Sequence, residues 1–585
     1  MSRFTAARQQ TIKNSQDLVT WTDISGWQNQ ENVAIKPSEY SVPSYDWLGA
    51  FSGGAQPVNL KGERDGNLTL MYTGCVVLPD NWKVPYQLGA KAGDGDYATE
   101  MQNIATSSDG GRTWQKYDGN PWLDTQVGGW NTTGFRDPVF FPNTRLDSIL
   151  GHGEGDKWYM VLGSGIRGVG PRIPLLTANS NDLTNWTFQG ALWEAPINYT
   201  WGGDRTKTGN WGANWELAGL YDEVAKVEHG GDGVESKWIV SFGAEGYPDE
   251  WHPAQRWTLF VLGDMTRRAN GSAELNVQAS GPLDWGNLYA VNGFLDEKNS
   301  RRVLWGWSDE DMSYDGGLPQ QGFAGSFGLP RELYVLKDHN ITAPSDGDVN
   351  RGRPQIWEST GTNSYTITTV GQRPLPEVVA AIRSKQSSNP IQSSQEVDSD
   401  FDLGVNSSRF HLQTTFSSLP DASDSDNYAG IRLRSSPNAE EFTEVRYYPA
   451  NSSVVLDRKN STLLPLVTRD TIVGNYEPFT YTNGTTENLT FNIFVDGSLL
   501  EIYINERFAL TSRIYPSRAD ALGASIVVEG DATVDWAEHW EMELNVWPER
   551  PLNASSPISS DPYYETTVTF ENPYLPIGYQ IYPGN

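Results

Sequence analysis

Short runs rich in Val, Ile, Tyr, Trp and Thr recur along the chain between clusters of Gly, Asn, Asp and Pro, and stretches with helical periodicity are scarce. The pattern predicts an all-β protein. Three segments, Asp17-Leu18-Val19-Thr20-Trp21, Asp109-Gly110-Gly111-Arg112-Thr113-Trp114 and Asp182-Leu183-Thr184-Asn185-Trp186, each set an Asp turn just ahead of a Trp. An Asx-type side-chain bond in such a turn hands the chain to a strand whose Trp packs inward. Repeated four-stranded units of this kind predict propeller blades.

Residues 1 to about 30 supply one hairpin, and the small residues of Asp46 to Gln56 let backbone or ligand approach closely. Leu70 to Trp122 gives a second set of strands and Arg136 to Gly190 a third. Trp238 to Glu245 and Trp257 to Gly263 belong to a fourth, and Leu288 to Ala290, Arg302 to Trp307 and Phe323 to Leu333 to a fifth. The expectation is a five-bladed β-propeller over residues 1–345, its first blade incomplete. A turn-rich linker, 346–394, follows, in which Pro376 to Arg383 is a short helical candidate with Pro near its start. Alternating strands resume beyond Asn389 and predict a β-sandwich over 395–548. Residues 549–585, marked by Pro551, Pro557 and Pro562, read as a C-terminal extension.

At 585 residues the chain can bury two substantial cores, and 37% hydrophobic with 12% aromatic residues is a globular composition. A formal charge of -30 argues against nucleic acid and anionic membranes as partners, and no apolar run is long enough to span a bilayer. A neutral ligand fits better. The 23 Trp and 26 Tyr are mostly core, but flat aromatic faces are also platforms for sugar rings. Cys75 is the only cysteine, which excludes an intrachain disulfide or a Cys-based metal site; it reads as an inert thiol in a buried strand. Neither metal nor cofactor is called for, and a homodimer is allowed but specified by nothing.

Twelve Asn-X-Ser/Thr sequons, at Asn67, Asn131, Asn185, Asn198, Asn270, Asn340, Asn406, Asn451, Asn460, Asn483, Asn488 and Asn553, point to a secreted, extracellular glycoprotein. Met1-Ser2-Arg3-Phe4-Thr5 leads into polar sequence without a signal peptide, so an incomplete N-terminus is the expectation.

Two acidic residues stand in aromatic, Gly-flanked settings: Asp137 in Gly134-Phe135-Arg136-Asp137-Pro138-Val139-Phe140-Phe141, and Glu216 in Asn210-Trp211-Gly212-Ala213-Asn214-Trp215-Glu216-Leu217. Glycosidic cleavage needs one carboxylic acid to protonate the leaving oxygen and one carboxylate opposite it, about 5 to 5.5 Å away where configuration is retained. The acid must hold its proton in a dry setting, which Asn-Trp-Glu-Leu offers. Against this stand a structural carboxylate at a blade edge for Glu216 and an ion pair at a strand start for Asp137.

These motifs resemble glycoside hydrolase family 32, the invertase, inulinase and fructosyltransferase family, especially its fungal branch. The Tyr45 to Ala55 run is similar to the loop beside the family's fructose pocket, which marks Phe51 and Ser52 as substrate-binding candidates. Phe135-Arg136-Asp137-Pro138 resembles the Arg-Asp-Pro motif, which implies transition-state stabilisation for Asp137 and a grip on fructosyl hydroxyls for Arg136. Trp215-Glu216-Leu217 resembles the Glu-Cys motif of the general acid/base, with Leu217 in place of the usual Cys. Glu245, in Gly243-Ala244-Glu245-Gly246, resembles a pocket carboxylate, and His252 and Glu310 are weaker candidates toward the aglycone side. Leu283 to Ala290, Arg301 to Trp307, Gly325 to Leu333, Phe494 to Tyr503 and Thr511 to Pro516 match further family motifs in order.

The resemblance implies action on sucrose or other β-fructosides without metal or cofactor. It also implies a nucleophilic Asp in an Asn-Asp-Pro or Gly-Asp-Pro motif ahead of the Asp17 hairpin, yet no Asp precedes Ser15, and Asp17, Asp23 and Asp46 lack the motif. The chain as it stands is therefore expected to be inactive, and a non-catalytic sugar-binding relative is the alternative. A sialidase is suggested only by Ser107 to Trp114, an Asp-box pattern that is a structural hairpin.

Overall fold

The computed structural model describes residues 10–11, 13–23, 33–38, 45–76, 100–123, 127–228, 235–246, 252, 256–311, 325–349, 352–386, 390–464 and 467–543. The extension expected at 549–585 lies outside the described residues, as does most of the chain before Ser15.

Four short strands come first, β1 (Gln10–Thr11), β2 (Lys13–Asn14), β3 (Thr22–Asp23) and β4 (Val33–Ile35); β1 pairs with β4 and β2 with β3. Three four-stranded antiparallel sheets follow, each a meander in chain order. The first contains β5 (Gly49–Gln56), β6 (Leu68–Cys75), β7 (Glu100–Ser107) and β8 (Gln115–Lys116). The second contains β9 (Thr132–Pro142), β10 (Lys157–Ile166), β11 (Gly170–Asn179) and β12 (Asp182–Glu194). The third contains β13 (Asn214–Val227), β14 (Ser236–Glu245), β15 (Arg256–Arg267) and β16 (Ala273–Pro282).

A fourth group is formed by β17 (Leu288–Asp296), β18 (Arg301–Ser308), β19 (Ser326–Phe327), β20 (Arg331–Ile341), β21 (Ile356–Gly361) and β22 (Ser364–Pro374), with β19 on β18 and the order β17-β18-β20-β22-β21. A parallel contact of Ala225–Val227 with Val335–Lys337 joins this group to the third sheet. The stretch 346–394, expected as a linker, is thus partly sheet: β21 and β22 extend the fourth group. Its expected helix forms at Pro376–Ile382 with Pro at the first turn, where a missing N–H costs nothing.

The Asx turns form as the sequence suggests. Asp17 Oδ1 accepts from the N–H of Val19 and Thr20, Asp109 Oδ1 from Thr113 and Asp182 Oδ1 from Thr184. Strands β5, β9, β13 and β17, the first of each sheet, contact one another in that order. Between the first two sheets Met71, Ile104, Phe135, Phe140 and Met160 make a dry core. Trp193, Trp211, Trp215, Trp238 and Phe242 do the same between the second and third.

The sandwich consists of a seven-stranded and a six-stranded sheet. Along Leu489–Asp496 the residues Leu489, Phe491, Ile493 and Val495 are buried between them, the period of two that the sequence displays. The sandwich is tied to the fourth group through buried polar groups. Asp284 accepts from the Thr511 N–H at 2.9 Å and hydroxyl at 2.7 Å, and Arg331 bridges Asp284 at 3.0 Å and Glu501 at 3.1 Å.

Candidate functional site

The same irregularity recurs in β5, β9, β13 and β17. Two residues face one on the neighbouring strand: Phe51 and Ser52 against Thr73, Asp137 and Pro138 against Leu162, Leu217 and Ala218 against Phe242, and Ala290 and Val291 against Gly306. These are β-bulges, which re-aim the side chains around them. Asp137, Leu217 and Ala290 accordingly have φ of 63°, 49° and 54°, a conformation non-glycine residues adopt at a cost.

The residues just before three of the bulges, Arg136, Glu216 and Tyr289, meet one another. Arg136 donates from Nε and Nη2 to Glu216 Oε1 at 2.9 and 2.6 Å, and Tyr289 donates its hydroxyl to Glu216 Oε2 at 2.8 Å. Both Glu216 oxygens are thereby oriented. Arg136 also bonds Glu245 through Nη2 at 2.8 Å and Glu100 through Nη1 at 2.9 Å. Glu245 accepts further from Asn214 at 3.0 Å and Arg256 at 3.2 Å, and Glu100 from the Phe135 N–H at 2.5 Å. Such close approach of inner strands requires glycine. A Cβ on Gly163 would lie 2.4 Å from the Trp215 carbonyl oxygen, and one on Gly243 would lie 2.6 Å from the Tyr289 hydroxyl.

Asp137 lies beside this cluster, 5% exposed. Its main-chain N–H donates to Thr73 Oγ1 at 3.1 Å, and its Oδ2 accepts from the Leu217 N–H at 3.3 Å. Burial first, then the Glu216 charge, push its carboxyl up to about 7, against the opposing pull of Arg136 and of the Leu217 amide. Burial works against the Arg136 charge as well, but the carboxylates of Glu100, Glu216, Glu245 and Asp137 outweigh it and hold the guanidinium well above its ordinary value. The site therefore offers a permanently charged five-donor fork and a carboxyl that exchanges its proton near neutrality, beside a second, more open carboxyl group, Glu216.

Of the residues singled out in the sequence, Arg136, Asp137, Glu216 and Glu245 come together. Phe51 and Ser52 form the bulge of the adjoining strand β5, which runs alongside the motif: a Cβ on Gly54 would lie 3.3 Å from the Pro138 carbonyl oxygen, and Gln56 donates to the Phe140 carbonyl at 2.7 Å. His252 is buried, stacked on Trp257 at 4.4 Å, with Nε2 2.8 Å from the Gly286 carbonyl oxygen. Glu310 faces the sandwich, where it takes bonds from Arg513 and from the Tyr515 hydroxyl at 2.6 Å.

Asp46 is saturated by the Tyr72 hydroxyl at 2.9 Å, Lys116 at 2.6 Å and the Ser38 hydroxyl at 2.7 Å, while Asp17 caps its own turn. Sequence reading misses Glu100, Asn214 and Tyr289. Asn214 and Tyr289 stand inside stretches already noticed, but Glu100 carries no local signal.

The chain matches the glycosyl hydrolases family 32 N-terminal domain over residues 11–344 and the family's C-terminal domain over 377–548. It is 25% identical over 340 residues to the rice (Oryza sativa subsp. indica) β-fructofuranosidase, insoluble isoenzyme 2, covering 55% of this chain but only 45% of that protein's length. It is 24% identical over 534 residues to the extracellular exo-inulinase of Aspergillus niger, covering 88% of this chain and 84% of that one. Among solved structures, the fructosyltransferase from A. japonicus superposes with a TM-score of 0.79 at 25% identity, over 92% of this chain and 90% of that one. With both domains matched in order over most of its length, and with a fold of the same kind, the chain belongs to glycosyl hydrolase family 32.

Proposed function

We propose that this chain is built for retaining cleavage or transfer of β-fructosides such as sucrose and fructans, on a five-bladed propeller followed by the sandwich. The observation that supports it most is the placing of Asp137 and Glu216 at equivalent bulges of neighbouring inner strands, with Glu216 on the Arg136 guanidinium and Asp137 on the N–H of Leu217, the residue after Glu216. Glu216, its two oxygens steered by Arg136 and Tyr289, gives its proton to the glycosidic oxygen as the bond to the fructosyl carbon breaks. As a carboxylate it later takes a proton from the acceptor, water or a sugar hydroxyl. With the proton on Glu216, the charge that helps push the Asp137 carboxyl up is gone and Arg136 favours its ionised form; Asp137 and Arg136 then grip fructosyl hydroxyls, and the Asp137 charge stabilises the oxocarbenium-like transition state.

The nucleophilic carboxylate of such a mechanism is assigned to no described residue. Glu100, Glu245 and Asp46 are each held by several donors, and Asp17 bonds its own turn. The chain of 585 residues is accordingly proposed to turn over no sucrose, and a variant engineered to carry an Asp-Pro strand beside β5 is proposed to turn it over. The twelve sequons support secretion. That no described residue is assigned as nucleophile also sustains the second reading, a sugar-binding protein without turnover.

Sucrose hydrolysis by the engineered variant, with and without Glu216→Gln, decides between them. Loss of roughly 10²- to 10⁴-fold in kcat is the expected mark of a missing general acid/base. An engineered variant that binds sucrose without cleaving it leaves the binding protein, and a Glu216→Gln chain of nearly full rate sinks the acid/base assignment. At high sucrose, kestose among the products marks transfer; glucose and fructose alone mark hydrolysis.

A further inference from the structure

A concavity, none of whose lining residues belongs to the Arg136 cluster, lies between the outer edges of the second and third sheets. It runs from the end of β12 along the first half of β16 and has a volume of about 480 Å³, within the roughly 300–1,000 Å³ typical of small-ligand sites. Its floor is aromatic. Trp193 and Trp211 are buried there with rings 4.8 Å apart, Trp201 lies nearly parallel to Trp211 at 6.2 Å, and the 38% exposed Tyr199 caps Trp211 at 4.7 Å. Glu194 and Glu274 add side chains 59% and 45% exposed, and Arg268 stands 3.6 Å from Glu274.

We infer that this groove binds a neutral oligosaccharide, separately from the Arg136 site and independently of the function proposed for it. At the rim the exposed Tyr199 ring and the partly exposed Trp201 take the C–H faces of a sugar above the buried aromatic floor, while carboxylates and a guanidinium within the same cavity take its hydroxyls as acceptors and donors. Glu194 is paired with Arg172 at 3.2 Å and Glu274 with Arg268 at 3.6 Å, so the balanced charge favours neither an anion nor a cation, and three charged groups on the lining disfavour a purely apolar ligand. A neutral, many-hydroxyl molecule of disaccharide size satisfies both surfaces. The floor is also continuous with the support of Glu216. Trp193 stacks on Trp215 at 3.9 Å, and the Trp215 indole donates to the Trp211 carbonyl at 2.9 Å, so an occupant changes the surroundings of fluorescent rings.

The test is calorimetric and fluorimetric titration of the full chain with sucrose, 1-kestose, maltotriose and cellotriose, repeated with Tyr199→Ala and with Asn276→Trp. Both substitutions are at exposed positions on the groove and leave its floor intact. At least one sugar is expected to show a millimolar binding event, with a tryptophan signal, whose affinity falls tenfold or more in both variants. That event is identified by its loss in these variants, so failure of binding at the Arg136 site leaves the outcome readable. The inference is overturned if every sugar binds the wild type and both variants alike, or if none binds the wild type except at the Arg136 site.

Discussion

Replacing Asp137 by Asn isolates the electrostatics of the site from any turnover. In the folded chain, burial and the Glu216 charge move the Asp137 carboxyl from an ordinary 3.8 up to about 7. Between those values the folded chain keeps a proton that the unfolded chain has released, so unfolding free energy falls as pH rises. The stability contributed by this proton is fully present below about pH 4 and is lost as pH climbs through about 7. At about 1.4 kcal/mol per unit, the three units set a ceiling of about 4 kcal/mol.

Asn keeps the size and the oxygen that accepts from the Leu217 N–H, and never charges. Asp137→Asn is therefore expected to gain on the wild type as pH is raised from about 4 to 7, with the difference growing by up to about 4 kcal/mol and levelling above about pH 8. Urea unfolding of both chains across this range, followed by tryptophan fluorescence, reads the difference directly. A difference that is constant with pH, or that shrinks as pH rises, refutes the electrostatic reasoning.

Tyr289→Phe removes the 2.8 Å bond to Glu216 Oε2; at roughly 1.5–3 kcal/mol for a bond to a charged group, kcat on sucrose in the engineered variant should fall about ten- to hundredfold with KM little changed. An unchanged kcat would remove Tyr289 from the site's working parts. Gly163→Ala sets a Cβ 2.4 Å from the Trp215 carbonyl oxygen and 2.7 Å from Glu216 Cα, so overpacking of about 1–3 kcal/mol is expected. Calorimetry should show a lower Tm and kinetics a slower enzyme; an unaltered Tm would mean the strands separate at no cost.

How much was legible from sequence follows from which properties are local. A strand announces itself by its own alternation, as Leu489–Asp496 does, and an Asx turn by its own Asp, as at Asp109, so the all-β class and the turns could be read residue by residue. Strand β22 carries its own strand-forming run, Tyr365-Thr366-Ile367-Thr368-Thr369-Val370, but the Gly, Arg and Pro ahead of it mark turns, and only pairing with β20 shows that it and β21 belong to the fourth group. Turn composition is local; sheet membership is not. The same distinction separates Asp137 from Glu100: the first lies in a recognisable tripeptide, whereas the second enters the site only because β7 lies beside β9.

The bulges explain why the rest of the site could not be seen. In a regular strand Arg136, Glu216 and Tyr289 would follow the alternation of their neighbours. An extra residue after each one resets that alternation, and no composition marks it: the positive-φ positions are Asp, Leu and Ala, none of them glycine. Equal placement of the irregularity on successive inner strands is what converges three side chains from three sheets. The departure at Leu217 from the family's usual Cys matters little for the same reason. What Asp137 uses at that position is a main-chain N–H, which any residue but proline supplies, so the geometry of the turn is retained where the side chain is not.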